Sequence, residues 1–376
     1  MNAGRLHAVL ELIKQDYEKH EVVARLQAAS NALATSIRTV NEDTAVAFRD
    51  AIGDLYKALE QSPLTSATPS ELETLKEIGA HDKVGAGLRG EIENTLNSNT
   101  VTPANALAEL QRIAEVISHF NDVVTQIIGG FEELKIPYEA LQPGESEIGA
   151  TIPWQVVETN LEGLQKNLQQ YDRSLKAFGE LADDRPDSPA VRSVGSSAFQ
   201  IFLESTPGIA LCIATAIERL CALYKQILEI RVLRKKVKEQ SLPEEVSASI
   251  GAYEQVVAKS GIEKIADDLI KEFGKNRPKE RLNELRTALA KALKFLATQI
   301  DQGVDLEVRS EPPRPKDVAQ SEGQSVKSDK TKKALEGARQ ISDRVKRAGA
   351  AMKALRRADE PVLALEFVEK QTKQTK

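Results

Sequence analysis

Aliphatic side chains recur at steps of three and four along most of this chain, a rhythm that suits an α-helix burying one side against other helices. The cleanest ladder is Val157, Leu161, Leu164, Leu168, Tyr171, Leu175 and Phe178. A second runs through Ile209, Ile213, Ala216, Leu220, Leu223, Ile227, Ile230 and Val237. Val22, Leu26, Ala29, Leu33, Ile37 and Val40 form a third, resumed by Phe48, Ile52, Leu55 and Leu59, so residues 3–60 read as a helical hairpin or one kinked helix. Thr68 with Pro69 and Glu71 is a helix start signal. Residues 85–97 read as a short helix, and Thr102-Pro103 opens another that the Gly129-Gly130 pair should stop. Ser241 and Glu244 around Pro243 predict a capping box for a helix through Val246, Ile250, Tyr253 and Val257, with two more over 262–273 and 279–301.

Three short stretches break this rhythm. Residues 131–153 carry Pro143-Gly144 and an alternating Ile148, Ala150, Ile152, which reads as a small hairpin; 190–195 and 304–309 are β-compatible pieces bounded by Pro or Gly. The expected fold is therefore mainly α: an elongated helical bundle with long coiled-coil-like helices and one small antiparallel β element. Its predicted parts are an N-terminal bundle over 1–130, a helical domain with the sheet over 131–309, a disordered Pro-, Ser- and Lys-rich linker over 310–333, and a basic amphipathic helix over 334–376. Ala338, Ile341, Val345, Ala348, Met352 and Leu355 form the apolar stripe of that last helix, which needs a surface to cover it. Pro361 should end it, with a further short helix over 362–368.

Aromatics make up only 4% of the chain, so its core must be aliphatic, and this leans away from a small-molecule pocket. The net charge of −5 is uneven: residues 326–357 hold eleven Lys or Arg against Asp329, Glu336 and Asp343, leaving +8 there and −13 elsewhere. Clustered cations of this kind suit an acidic partner, a polyanion or an anionic membrane surface. The candidate partner-binding residues are Lys332, Lys333, Arg339, Arg344, Lys346, Arg347, Lys353, Arg356 and Arg357, with Ile341, Val345, Met352 and Leu355 on the apolar stripe. No aromatic lies between residues 310 and 366, so base stacking cannot come from that segment. Cys212 and Cys221 match neither a zinc pair nor a disulfide framework and read as buried thiols. With a charged N-terminus unlike a signal peptide, they make the cytoplasm the expected compartment.

Motifs for chemistry are weak. Gly274-Lys275 lacks the upstream glycine of a P-loop, and Gly144-Glu145-Ser146-Glu147 ends on Ile148 where a nucleophile elbow needs glycine. A carboxylate precedes His by four residues in Asp16/His20, Glu77/His81 and Glu115/His119; each could be a metal pair, but a solvated charge pair is the expected reading. Asp183-Asp184 and Asp267-Asp268 read likewise as solvated charge. No catalytic, cofactor-binding or metal-ligating residue is assigned, and no cofactor is expected.

Residues 193–217 contain a single charge, Glu204. They read as a strand followed by a buried central helix, broken at Pro207-Gly208; the rival reading is a membrane-inserting hairpin, although the uncharged run is shorter than the ~20 residues a bilayer needs. An enzyme site assembled from distant residues, around Tyr224, Glu229, Arg231 and Arg234, is the third alternative. IPWQVVETNLEGL, SSAFQIFLE followed by ALYKQILEIRVLRKK, and RLNELRTALAKAL with IDQGVDLEVR resemble parts of uncharacterised bacterial helical proteins across roughly residues 145–310. That resemblance implies a bacterial source and a helical fold and transfers no site. The expected function is a non-enzymatic interaction or scaffold protein, acting through helical surfaces and the basic C-terminal helix, on a protein partner or another copy.

Overall fold

A computed structural model describes residues 2–157, 160–183, 187–195, 199–240, 244–274, 278–316, 329–355, 357–358 and 361–363, with side chains described from 332 onward in the last helix. It is 76% helical, with eleven helices and one four-stranded antiparallel sheet among the described residues, a mainly α fold. The chain forms two compact units, Met1–Ala140 and Leu141–Lys376.

The first unit holds six helices: α1 (Ala3–His20), α2 (Val22–Arg38), α3 (Glu42–Gln61), α4 (Pro69–Glu77), α5 (Gly85–Ser98) and α6 (Pro103–Glu133). Residues 3–60 are thus three helices, where a hairpin or one kinked helix was expected. Glu21 adopts a left-handed conformation (φ 49°) that stops α1 without a glycine, and Asn41 caps α3 by accepting the Thr44 N–H at 2.8 Å. Ahead of α4 the predicted capping box forms: the Glu71 N–H donates to Thr68 Oγ1 at 3.4 Å, and the Thr68 N–H to Glu71 Oε2 at 2.8 Å. The glycine pair does not stop α6. It runs on to Glu133, because Ile117, Val124 and Ile128 bury against the unit's core, and ends in a Schellman turn at Lys135 (φ 55°), with the Ile136 N–H donating to Phe131 O at 2.9 Å. Residues up to 140 belong here rather than with the sheet: the Glu139 N–H donates to Gly4 O at 2.9 Å.

The second unit is built on the sheet β2-β3-β1-β4, from β1 (Ser146–Ile152), β2 (Val191–Gly195), β3 (Phe199–Ser205) and β4 (Asp305–Ser310). The expected hairpin about Pro143-Gly144 does not form. Gly144 (φ 89°) instead turns the chain into β1, its N–H bonded to Glu311 O at 2.8 Å past the end of β4, and β1 pairs with β3 and β4. One sheet face, with Ile148, Ala150, Ile201, Leu203, Leu306 and Val308, joins the main core. At the middle of the sheet Gly149 lies opposite both Phe202 and Glu307. A Cβ there would sit 2.7 Å from Glu307 Cγ and 2.9 Å from the Phe202 ring, so the site admits no side chain.

Around the sheet pack α7 (Leu161–Asp183), α8 (Pro207–Glu239), α9 (Glu244–Phe273), α10 (Lys279–Asp301) and α11 (Asp329–Lys353). Pro207 is the first residue of α8 rather than a break in it; Thr206 caps the helix, its Oγ1 accepting the Ile209 N–H at 3.2 Å. From Ala210 to Ile230 this helix is apolar on nearly every side, and it touches α7, α9, α10, α11, β1 and β4. Residues 244–273 are one helix, not two, because Gly261 is a contact point: a Cβ there would come within 2.6 Å of Leu223 Cδ1 on α8. The Ser241/Pro243 cap and the helix expected over 362–368 fall on, or run into, residues outside the described set, as does the stretch 317–328 of the expected linker, whereas residues 329–333, expected in that linker, already belong to α11.

Candidate functional site at the C-terminal helix

The amphipathic stripe of α11 is buried within its own chain. Val345 (8% exposed), Ala348 and Met352 (3%) enter the main core, with Ile341 and Leu355 half-buried at its edge, and the helix lies on α8 and β4. This is where α8, too apolar to face water, obtains cover on that side.

Ion pairs frame the contact. Arg344 Nη1 lies 2.9 Å from Glu218 on α8, with Nη2 4.0 Å from Glu272 on α9, and Arg347 Nε stands 3.8 Å from the same Glu218. Glu272 also receives Arg219 at 2.6 Å. Beside them opens a groove of about 610 Å³, lined by Leu211, Glu272, Gln340, Asp343, Arg344, Lys346 and Arg347.

Past the helix, the chain is held by backbone bonds. The Ala358 N–H donates to Tyr224 Oη at 3.0 Å, and the Val362 and Leu363 N–H groups donate to the two oxygens of Asp301 at 2.9 and 2.8 Å. Arg357 Nη2 donates to Val304 O at 2.9 Å and to Asp305 at 2.7 Å, while Arg231 donates to Pro361 O at 2.5 Å. Burial pushes the Tyr224 phenol above its ordinary value, so the hydroxyl stays neutral as acceptor.

The predicted partner residues therefore divide. Ile341, Val345, Met352 and Leu355 face inward, and Arg344, Arg347 and Arg357 pair with carboxylates, Arg347 while still exposed. Lys332, Lys333, Arg339, Lys346 and Lys353 are exposed as well, and Arg356 lies outside the described residues. Among the exposed cations, Lys332, Arg339, Lys346 and Lys353 follow one another at intervals of seven, one row along the outer face.

Glu218, Glu272, Tyr224 and Asp301 complete this surface, and sequence reasoning did not name them for it. A weak signal existed in Asp301, an acid at the end of a helix, where it opposes the dipole unless other donors meet it. The residues raised for a distant enzyme site are engaged in structural contacts: Arg231 and Arg234 reach buried Glu254 at 2.6 and 3.8 Å, Tyr224 and Arg231 both hold the C-terminal segment, and Glu229 is exposed.

The three His pairs separate equally clearly. Asp16 and His20 are buried, correcting the solvated reading; Ser62 Oγ donates to Asp16 Oδ2 at 2.7 Å, and His20 Nε2 is 3.7 Å from Oδ1. Burial raises the Asp16 carboxyl's pKa against the opposing pull of that hydroxyl. Because the carboxylate sits between Ser and His, the order is wrong for a nucleophilic triad, in which His bridges the other two. Glu77 ends α4 and so shares no helix face with His81, whereas Glu115 and His119 are exposed on α6. Among the described residues, no group of three or more His, Cys, Asp and Glu is placed to hold a metal. Comparison with family models, curated proteins and solved structures finds no match to this chain.

Proposed function

We propose that this chain is a non-enzymatic interaction protein whose helix α11 presents a fixed row of cations to an acidic protein partner. The observation that carries the reading is the spacing of Lys332, Arg339, Lys346 and Lys353. Seven residues advance a helix by about 10.5 Å, so the four charges span about 32 Å in a nearly straight line. Anchoring by Val345 and Met352 means that little ordering entropy remains to be lost when a partner arrives. The buried thiols Cys212 and Cys221 suit a reducing compartment, and we place the protein in the cytoplasm on that ground.

The test is a pull-down from the native host with the intact chain and with Lys332, Arg339, Lys346 and Lys353 all changed to Glu, each in untreated and in nuclease-treated lysate. Capture of a protein partner by the first alone, weakening as salt rises, supports the reading. A partner lost on nuclease treatment points to nucleic acid instead.

A second reading has one observation in its favour. Helix α8 is long and apolar enough to cross a membrane by length and composition, with 61% of its apolar window buried inside the unit. If α11 releases, that helix loses cover on one side. Dye leakage from anionic vesicles would favour this membrane-active reading, and intact vesicles would leave the interaction reading in place.

A further inference from the structure

The first half of α9 carries an apolar stripe directed away from α8. Val246, Tyr253 and Val256 are 40, 58 and 61% exposed, and with Ser249 and Ser260 they recur at steps of three, four, three and four. On the opposite side of the helix, Gly251 abuts the Arg234 guanidinium and Glu254 pairs with Arg231, which fixes the orientation. Both serine hydroxyls are already spent within the helix, Ser249 Oγ on Glu245 O at 2.8 Å and Ser260 Oγ on Val256 O at 2.7 Å. They can therefore be buried as small residues without an unmet donor.

We propose that this stripe is the seam of a two-fold, antiparallel pairing with a second copy of the chain. A two-fold interface must be complementary to itself, and the stretch 246–256 of this stripe is. When Val246 faces Val256 of the copy, the same register sets Ser249 against Tyr253, so each ring meets a small side chain, as knobs-into-holes packing requires. That register also brings Glu245 beside Lys259 of the copy, and Lys259 beside its Glu245, along the edge where coiled coils place their selecting charges. A parallel pairing would instead stack Tyr253 on Tyr253 and align like charges. The facing positions run from 246 to 256, about 11 residues or roughly 16 Å, short for a specific interface, so the dimer is concentration-dependent. It uses no residue of α11, and the charge variants of α11 leave it unchanged.

Sedimentation equilibrium of the intact chain over a wide concentration range tests this. A monomer–dimer equilibrium is expected. Glu245→Lys or Lys259→Glu alone makes two pairs repulsive and weakens dimerisation about tenfold, while the two together restore it. Tyr253→Glu abolishes the dimer, and all four variants keep the helical circular dichroism and cooperative melting of the parent monomer, the Glu245→Lys chains melting slightly lower because they place a cation in the first turn of α9. Mixing a Ser249→Cys copy with a Tyr253→Cys copy gives a cross-link that neither gives alone, Cys212 and Cys221 being buried. A monomer at every concentration, a double charge variant as weak as the singles, or cross-links formed equally by each variant alone would overturn the proposal.

Discussion

The Tyr224 hydroxyl, midway along α8, accepts a 3.0 Å hydrogen bond from the backbone N–H of Ala358. One side chain of the core thus holds the segment that follows α11, next to the Asp301 carboxylate and its two backbone donors. Tyr224→Phe preserves the packing and removes only the acceptor. It is expected to cost about 1 kcal/mol and to speed amide exchange at Ala358, Val362 and Leu363 ahead of the rest of the unit, measured by hydrogen exchange with mass spectrometry.

The two sides of α11 should behave oppositely. Met352→Ala empties a core position and is expected to destabilise the second unit by about 2 kcal/mol or more, read by chemical denaturation. Lys346→Glu on the outer face should change stability by less than about 0.5 kcal/mol while weakening partner binding. Equal stability losses from both would mean that the outer face is also packed.

At neutral pH the buried Asp16 is a burden to the first unit. Its pKa in the folded state lies above the unfolded value, so its contribution is full below about pH 4 and is lost as pH rises through the raised folded value. Asp16→Asn keeps an acceptor for the Ser62 hydroxyl and removes the charge. The variant is expected to melt higher than the parent at neutral pH, and the difference should vanish in acid, checked by calorimetry across that range.

Gly149→Ala would press a methyl group into Glu307 and the Phe202 ring in the central strand. A loss of about 1–3 kcal/mol is expected from overpacking. Gly53→Ala, where the added group meets nothing within 4 Å inside α3, should be neutral or stabilising. Denaturant midpoints of the two variants compare them directly.

Much of this fold was legible in advance, and the particular residues say why. The ladder Leu161 to Phe178 and the Thr68 cap depend on neighbours three or four positions away, so their information is local and linear. The three-and-four rhythm, the strands at 191–195 and 305–310, and the placing of Cys212 and Cys221 inside needed nothing else.

By itself, the sequence determined that the chain is helical, that its core is aliphatic and that the last helix is amphipathic, because periodicity and composition are properties of the linear order. Only the tertiary structure decided that Gly129-Gly130 and Gly261 continue their helices, that β1 pairs with β3 and β4, that Asp16 is buried and that Met352 is covered by α8. Each of these turns on contacts between residues far apart in the chain, where burial outweighs local preferences of about 1 kcal/mol.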